Sequence, residues 1–299
     1  MSDTLASFRR KISGAKDLES VVRSMKALAA ASIDQYERSV LALDDYYRTV
    51  ELGLVACLRN EGTRITEQTG SSQVMPKTVN AIVFGSDQGL VGQFNDALAS
   101  FVVASLADVP GEKKVWAVGE RIYASLADAG LSPIGLFTVP SSINAITPLI
   151  GQILMETNSH EAMIEKDELI LVHNTPQRGA SYQPVSQHLL PLDAQWSQRL
   201  VTLPWPTKNL PQVVGPQERT LSALIREFLF VSLFKACAES LASENASRLA
   251  AMQRAEKNIG EMIETLNQTF RRLRQASIDE ELFDVVSGYE SLKKEKRPK

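Results

Sequence analysis

From Leu5 to Leu58 apolar residues return every three or four positions, through Phe8, Ile12, Ala15, Leu18, Val22, Met25, Ala29, Ile33, Tyr36, Val40, Leu43, Tyr47, Val50 and Leu54, and no proline interrupts them. That period is an amphipathic helix's. At about 1.5 Å of rise per residue the helix would be roughly 80 Å long, far beyond the usual three or four turns. Its apolar stripe needs an equally long partner. Between Pro216 and Pro298 the same spacing runs without proline through Leu221, Ile225, Phe228, Val231, Phe234, Ala238, Leu241, Leu249, Met252, Ile259, Ile263, Leu266, Phe270 and Leu273. A seam repeating near 3.5 residues winds left-handed, so the two ends are predicted to pair as an antiparallel coiled coil. Gly14, Gly53 and Gly260 cost about 1 kcal/mol each against alanine inside a helix, and so long a seam offsets that.

A register follows. If the first helix ends near Leu54 and the second begins near Leu221 at the same base, opposed residue numbers sum to about 275. Met25 then lies on the seam opposite about residue 250, near Arg248, and everything beyond Gln275 runs on without its partner. Ile278, Leu282, Val285, Val286 and Tyr289 recur at helical spacing there, an uncovered stripe of the kind that marks an interaction surface.

Between the helices the period changes, after a polar linker from Asn60 to Ser72. Val79 to Phe84 is a short apolar run rich in β-branched residues, followed by a glycine turn and a helical segment from Phe94 to Leu106. Val115–Val118, Ile134–Val139 and Leu169–His173 read as further strands, with helices around Ile122 and Ile150, and Ser181–Leu192 as a candidate last strand. Pro204, Pro206, Pro211 and Pro216 make a stiff return path. The predicted fold is α/β: an N-terminal coiled-coil helix (1–59), a central Rossmann-like α/β domain (73–203), a C-terminal coiled-coil helix (217–292) and a charged tail (293–299).

Composition narrows the function classes. The 299 residues carry 32 basic and 35 acidic side chains, a net charge of -3, which leaves no surplus to neutralise phosphates and argues against a nucleic-acid partner. With 44% hydrophobic and 22% charged residues and no run of eighteen apolar residues, the chain reads as folded in water with nothing crossing a bilayer. The first sixteen residues lack the apolar core of a secretory signal. Cys57 and Cys237 have no CxxC spacing and read as free thiols.

Candidate chemistry is sparse. Gly85-Ser86-Asp87-Gln88-Gly89-Leu90-Val91-Gly92 sits where a dinucleotide fingerprint would, after a strand and before a helix. Aligned on Gly89 and Gly92, however, the fingerprint needs glycine at Asp87, whose bulk and charge would oppose a pyrophosphate. Tight backbone packing is the better reading of these glycines. No Gly-Lys dipeptide occurs, so there is no Walker A loop, and Gly-x-Ser-x-Gly and HExxH are missing too. His160, His173 and His188 lack metal-ligand spacing and read as structural, and Asp279-Glu280-Glu281 as a solvated face or partner contact. No catalytic residue, cofactor or metal is expected.

Three stretches carry a resemblance. Ser243-Glu244-Asn245-Ala246-Ser247-Arg248-Leu249-Ala250-Ala251-Met252, Asn258, Arg274-Gln275-Ala276-Ser277-Ile278-Asp279-Glu280-Glu281-Leu282 and Val286-Ser287-Gly288 resemble the signature helix of the gamma subunit of F-type ATP synthases. The turn Ser86–Gly92 to Asn95 and the run Leu189-Leu190-Pro191-Leu192 are similar to that family's central domain. Ala31, Ser32, Gln93, Phe94 and Asp279 depart from its usual residues and suggest a divergent branch or a second, specialised synthase. The resemblance implies a non-catalytic central-stalk rotor, peripheral on the cytoplasmic face of a bacterial inner membrane. Its implied partners are a hexamer of alpha and beta subunits, the epsilon subunit and the membrane ring of c subunits. It places hexamer contacts at Arg248, Arg274, Gln275 and Asp279 and the helix-pair seam at Met25. Two other readings stand beside it: a dinucleotide-binding oxidoreductase with helical arms, and a coiled-coil scaffold for another assembly.

Overall fold

The computed structural model describes residues 4–60, 78–157, 167–177, 181–192, 200, 202, 204–209 and 211–295. The expected linker from Asn60 to Ser72, His160 and the last residues of the charged tail lie outside them, Asn60 itself excepted. The elements are α1 (Leu5–Asn60), β1 (Thr78–Phe84), α2 (Phe94–Ala107), β2 (Glu112–Val118), α3 (Glu120–Asp128), β3 (Gly135–Phe137), a 3-10 turn (Ile143–Ala145), α4 (Ile146–Glu156), β4 (Glu168–Gln177), β5 (Ser181–Leu190) and α5 (Gln217–Glu295). They form two compact units, residues 29–249 and residues 1–28 with 250–299.

The larger unit holds a five-stranded sheet in the order β3-β2-β1-β4-β5, parallel except for the antiparallel edge strand β5. Every residue of β1 is buried, as a central parallel strand covered on both faces requires. Val79, Ala81 and Val83 point to one layer, where Leu98, Val102 and Leu106 of α2 and Ile122 and Leu126 of α3 meet them. Ile82 and Phe84 point to the other, built from α1 (Tyr36, Val50, Leu54), α4 (Ile146, Ile150, Ile153) and α5 (Phe228, Leu233, Leu241). From Phe228 to Ser247 nearly every position of α5 is buried, so here α5 is a core element rather than an amphipathic edge.

Within this unit α1 and α5 run antiparallel. Cys57 O accepts from Gln217 Nε2 at 2.9 Å, Tyr46 Oη donates to Glu227 at 2.5 Å, Tyr47 meets Phe228 at 5.8 Å between centroids, and Lys235 binds Asp44 at 2.8 Å. The paired numbers sum to between about 273 and 279, around the register expected from the sequence. In the smaller unit Arg9 lies over Phe270, and Lys26 and Arg23 both bind Glu256, which also makes an antiparallel pair. There the sums are about 279 to 282, which puts Met25 opposite about residue 255, roughly one turn from the expected 250. Long basic side chains reach a carboxylate one turn away, about 6 Å along the axis, so ionic partners settle at that offset.

Strand bounds differ from their sequence expectations at four places: β4 runs on past His173 to Gln177 because its polar end pairs with β5, and β5 stops at Leu190 rather than Leu192. β2 begins at Glu112, where it pairs with Thr78 of β1, and its first residues are exposed and polar, so a hydrophobic pattern does not show them. β3 is only Gly135–Phe137, since the Val139 amide is taken by Asp87 instead of a neighbouring strand. Both cysteines are buried and neither is part of a disulfide, and burial pushes the Cys237 thiol well up.

Candidate functional site

Open parallel sheets take ligands in the crevice outside the carboxyl ends of their strands, at the point where the strand order reverses. Here the chain proceeds from β1 to β2 and β3 on one side and to β4 on the other, so that point lies between β1 and β4. The crevice is occupied by α5. Ser240 Oγ donates to the carbonyl of Phe84, the last residue of β1, at 3.0 Å; Ser243 Oγ donates to Asn174 O of β4 at 2.9 Å; Ser247 Oγ donates to Val91 O of the glycine turn at 2.5 Å. All three serines are buried. One residue before Ser240, Glu239 accepts from His173 of β4, Nε2 to Oε2 at 2.9 Å. Burial opposes ionisation of Glu239, but hydrogen bonds from His173 and Thr175 and the charges of His173 and Lys235 outweigh it and hold the carboxyl below its usual range.

The glycine turn itself is a structural joint. Asp87 uses both carboxylate oxygens, accepting the Glu120 amide at 3.0 Å and the Val139 amide at 3.0 Å. Glu120 is the first residue of α3, so Asp87 satisfies an otherwise orphaned N-terminal donor with a charge the helix dipole favours. Asn95 closes the turn through Ser86, taking the Ser86 amide at 3.1 Å and donating to Ser86 Oγ at 2.8 Å. Gly92 has φ 60°, where a side chain is disfavoured. Gly119 has φ 121°, and a Cβ there would stand 2.6 Å from the Ser86 carbonyl oxygen, so the β1 and β2 turns pack backbone to backbone. Gly89 is less constrained: a Cβ would meet only the end of Arg121, at 3.0 Å.

Beside the crevice lies a cavity of about 310 Å³ lined by Tyr36, Asp87, Ser141, Glu244, Asn245 and Arg248, among others. Arg248 binds Glu244 at 2.5 Å and leaves only 14% of its side chain exposed, so it is largely committed within α5. Burial, with Asp87 adding repulsion, still pushes the Glu244 carboxyl up despite Arg248. Among the described residues no group of three or more His, Cys, Asp or Glu could hold a metal.

The other expected contacts fall in the smaller unit. Arg274, Gln275 and Asp279 are exposed, as are Ile278 (53%), Leu282 (64%) and Val286 (50%). Met25 is half-buried. Phe283, 74% exposed, joins this surface although its position falls off the expected stripe. Sequence reasoning named Ser243 and Ser247 only as part of a resembling stretch, without their contacts, and missed Ser240 and the His173–Glu239 pair. The available signal was small polar residues at steps of three and four, Ser240, Ser243 and Ser247, inside an apolar helical pattern.

The family model described as ATP synthase matches residues 4–292. The ATP synthase gamma chain of Geotalea daltonii is 27% identical over 304 residues, covering 97% of this chain and 99% of that one. The gamma chain of Magnetococcus marinus is 28% identical over 311 residues with the same coverage. Among solved structures, a chain of the Euglena gracilis mitochondrial ATP synthase, in a structure of OSCP, F1 and c-ring, superposes with a TM-score of 0.63 at 17% identity, covering 100% of this chain and 98% of that one. A chain of the Tetrahymena thermophila central stalk and c-ring gives 0.58 at 22% identity, over 79% of this chain and 99% of that one. With its crevice filled by its own helix, its glycine turn closed by Asp87 and Asn95, and its family model matched nearly end to end, the chain belongs to the family of ATP synthase gamma chains, the non-catalytic subunits of the central stalk.

Proposed function

We propose that this chain is the rotating shaft of its synthase, coupling ion-driven rotation of a membrane ring to ATP synthesis or hydrolysis at the beta subunits. One observation carries this reading: from Gln275 to Tyr289 α5 is a helix with a broad exposed apolar surface, which a surrounding sleeve of other subunits would bury. The sleeve is a hexamer of alternating alpha and beta subunits, met by Ile278, Leu282 and Val286, with Arg274, Gln275, Asp279 and the outer edge of Arg248 as polar contacts and Met25 on the supporting seam. The central α/β domain grips the epsilon subunit and the ring of c subunits. Among the described residues no helix is long and apolar enough to cross a membrane, which fits a peripheral position. That position is the cytoplasmic face of a bacterial inner membrane.

The mechanism needs no chemistry in this chain. An asymmetric shaft makes different contacts with three otherwise equivalent beta sites, so its rotation shifts each site's conformational equilibrium and therefore its nucleotide affinity. By reciprocity, nucleotide exchange at those sites drives the shaft. The test is affinity purification of the tagged chain from its source: recovery of alpha and beta subunits, identified by their Walker A loops, is expected. Their absence from a preparation that retains the folded chain would refute the assignment.

A further inference from the structure

A rotor that receives torque on its α/β domain and delivers it through a helix needs a joint where the two cannot slip. Apolar burial is non-directional, whereas hydrogen bonds fix angle as well as distance. We propose that Ser240, Ser243 and Ser247, with the Glu239–His173 pair, form the torque joint of this subunit, acting as positioning residues that lock α5 to the sheet. This rests on the rotor reading above.

The geometry has three parts. Positions 240, 243 and 247 share one face of α5, and their hydroxyls reach three different chain segments: the end of β1, β4 and the glycine turn. Three anchors on separate segments oppose rotation about the helix axis as well as translation along it. The fourth tie, Glu239 to His173, adds a charged acceptor against β4 next to the Asn174 anchor. Finally, the segments are themselves braced. Asp87 joins the glycine turn to α3 and to the segment that follows β3, and Asn174 Nδ2 donates to Phe94 O at the start of α2, at 3.4 Å. A push on α2 or α3 therefore reaches the serines through hydrogen-bonded backbone.

The experiment uses the assembled complex held by its head. Met155, 76% exposed on α4, is replaced by cysteine to carry a bead on the central domain; Cys57 and Cys237 are buried and stay unlabelled. Angular fluctuation of the bead is recorded with the head stalled, then rotation against viscous load. In the Ser240→Ala, Ser243→Ala, Ser247→Ala triple variant the angular variance should rise about twofold or more, loaded rotation should slow, and unloaded ATP hydrolysis should stay as in the parent, since three directional ties are gone while the apolar packing stays. Val231→Ala, a buried α5 position, should lower thermal stability without widening the fluctuation. If the triple variant does not assemble, Ser240→Ala and Ser243→Ala singly should each widen the fluctuation to a smaller extent. Unchanged variance in assembled variants, or equal widening by Val231→Ala, overturns the joint. A parent chain that never enters the complex would instead defeat the rotor reading.

Discussion

The Arg9 guanidinium lies 5.6 Å from the centre of the Phe270 ring, near the last turns of α5 that α1 can cover; from Ile278 to Tyr289 every residue of α5 is exposed. Limited proteolysis of the free chain should therefore cut between residues 275 and 289, and assembly with alpha and beta subunits should protect that stretch. Equal protection in both states would remove the sleeve.

Leu282→Glu follows from the same exposure. At 64% exposed, Leu282 contributes little to folding, and the variant should melt within about 0.5 kcal/mol of the parent. In the complex it would place a charge in a buried contact and forfeit roughly 1.5 to 3 kcal/mol of apolar burial. Binding to the head, measured by titration, should weaken while the melting temperature of the free chain holds.

Asp87→Gly restores the glycine that a dinucleotide fingerprint requires. It should destabilise the chain by about 1 to 2 kcal/mol, because the Glu120 and Val139 amides lose their acceptor. It should not create nucleotide affinity, since α5 fills the crevice through Ser240, Ser243 and Ser247. Denaturant titration and calorimetry with NAD measure the two outcomes; low-micromolar binding would contradict the packing account.

Glu239 makes stability depend on acid. Its folded-state pKa is lowered, so its contribution is present above the ordinary carboxylate range near 4.5 and is lost as pH falls through the folded value. Glu239→Gln should remove part of the stability fall below about pH 4.5. Glu244 has the opposite sign: its raised pKa favours folding when protonated, and that preference fades as pH rises through the folded value. Melting curves of both glutamine variants from pH 3 to 7 separate the two.

The long helices and the parallel sheet were legible because they rest on periodicity sustained over many turns and on β-branched runs such as Val79–Phe84. Asp87 was legible as a misfit, a carboxylate where a phosphate loop needs glycine, but its partners Glu120 and Val139 lie 33 and 52 residues away and no local pattern announces them. The α5 serines hid for a related reason. A serine on an apolar face reads as a tolerated small residue until the facing carbonyls of Phe84, Asn174 and Val91 are in place. Register was readable to about one turn at Met25, the remainder being set by where Lys26 and Arg23 find Glu256.

The most direct test of the shaft assignment is to watch it turn. A head of alpha and beta subunits is immobilised with this chain in its bore, a bead is fixed to the Met155→Cys position, and ATP is added. The account predicts stepwise rotation in one direction, with hydrolysis and stepping lost together when Leu282→Glu, Phe283→Glu and Val286→Glu are combined. A bead that stays still while the bound head hydrolyses ATP at its full rate would contradict it.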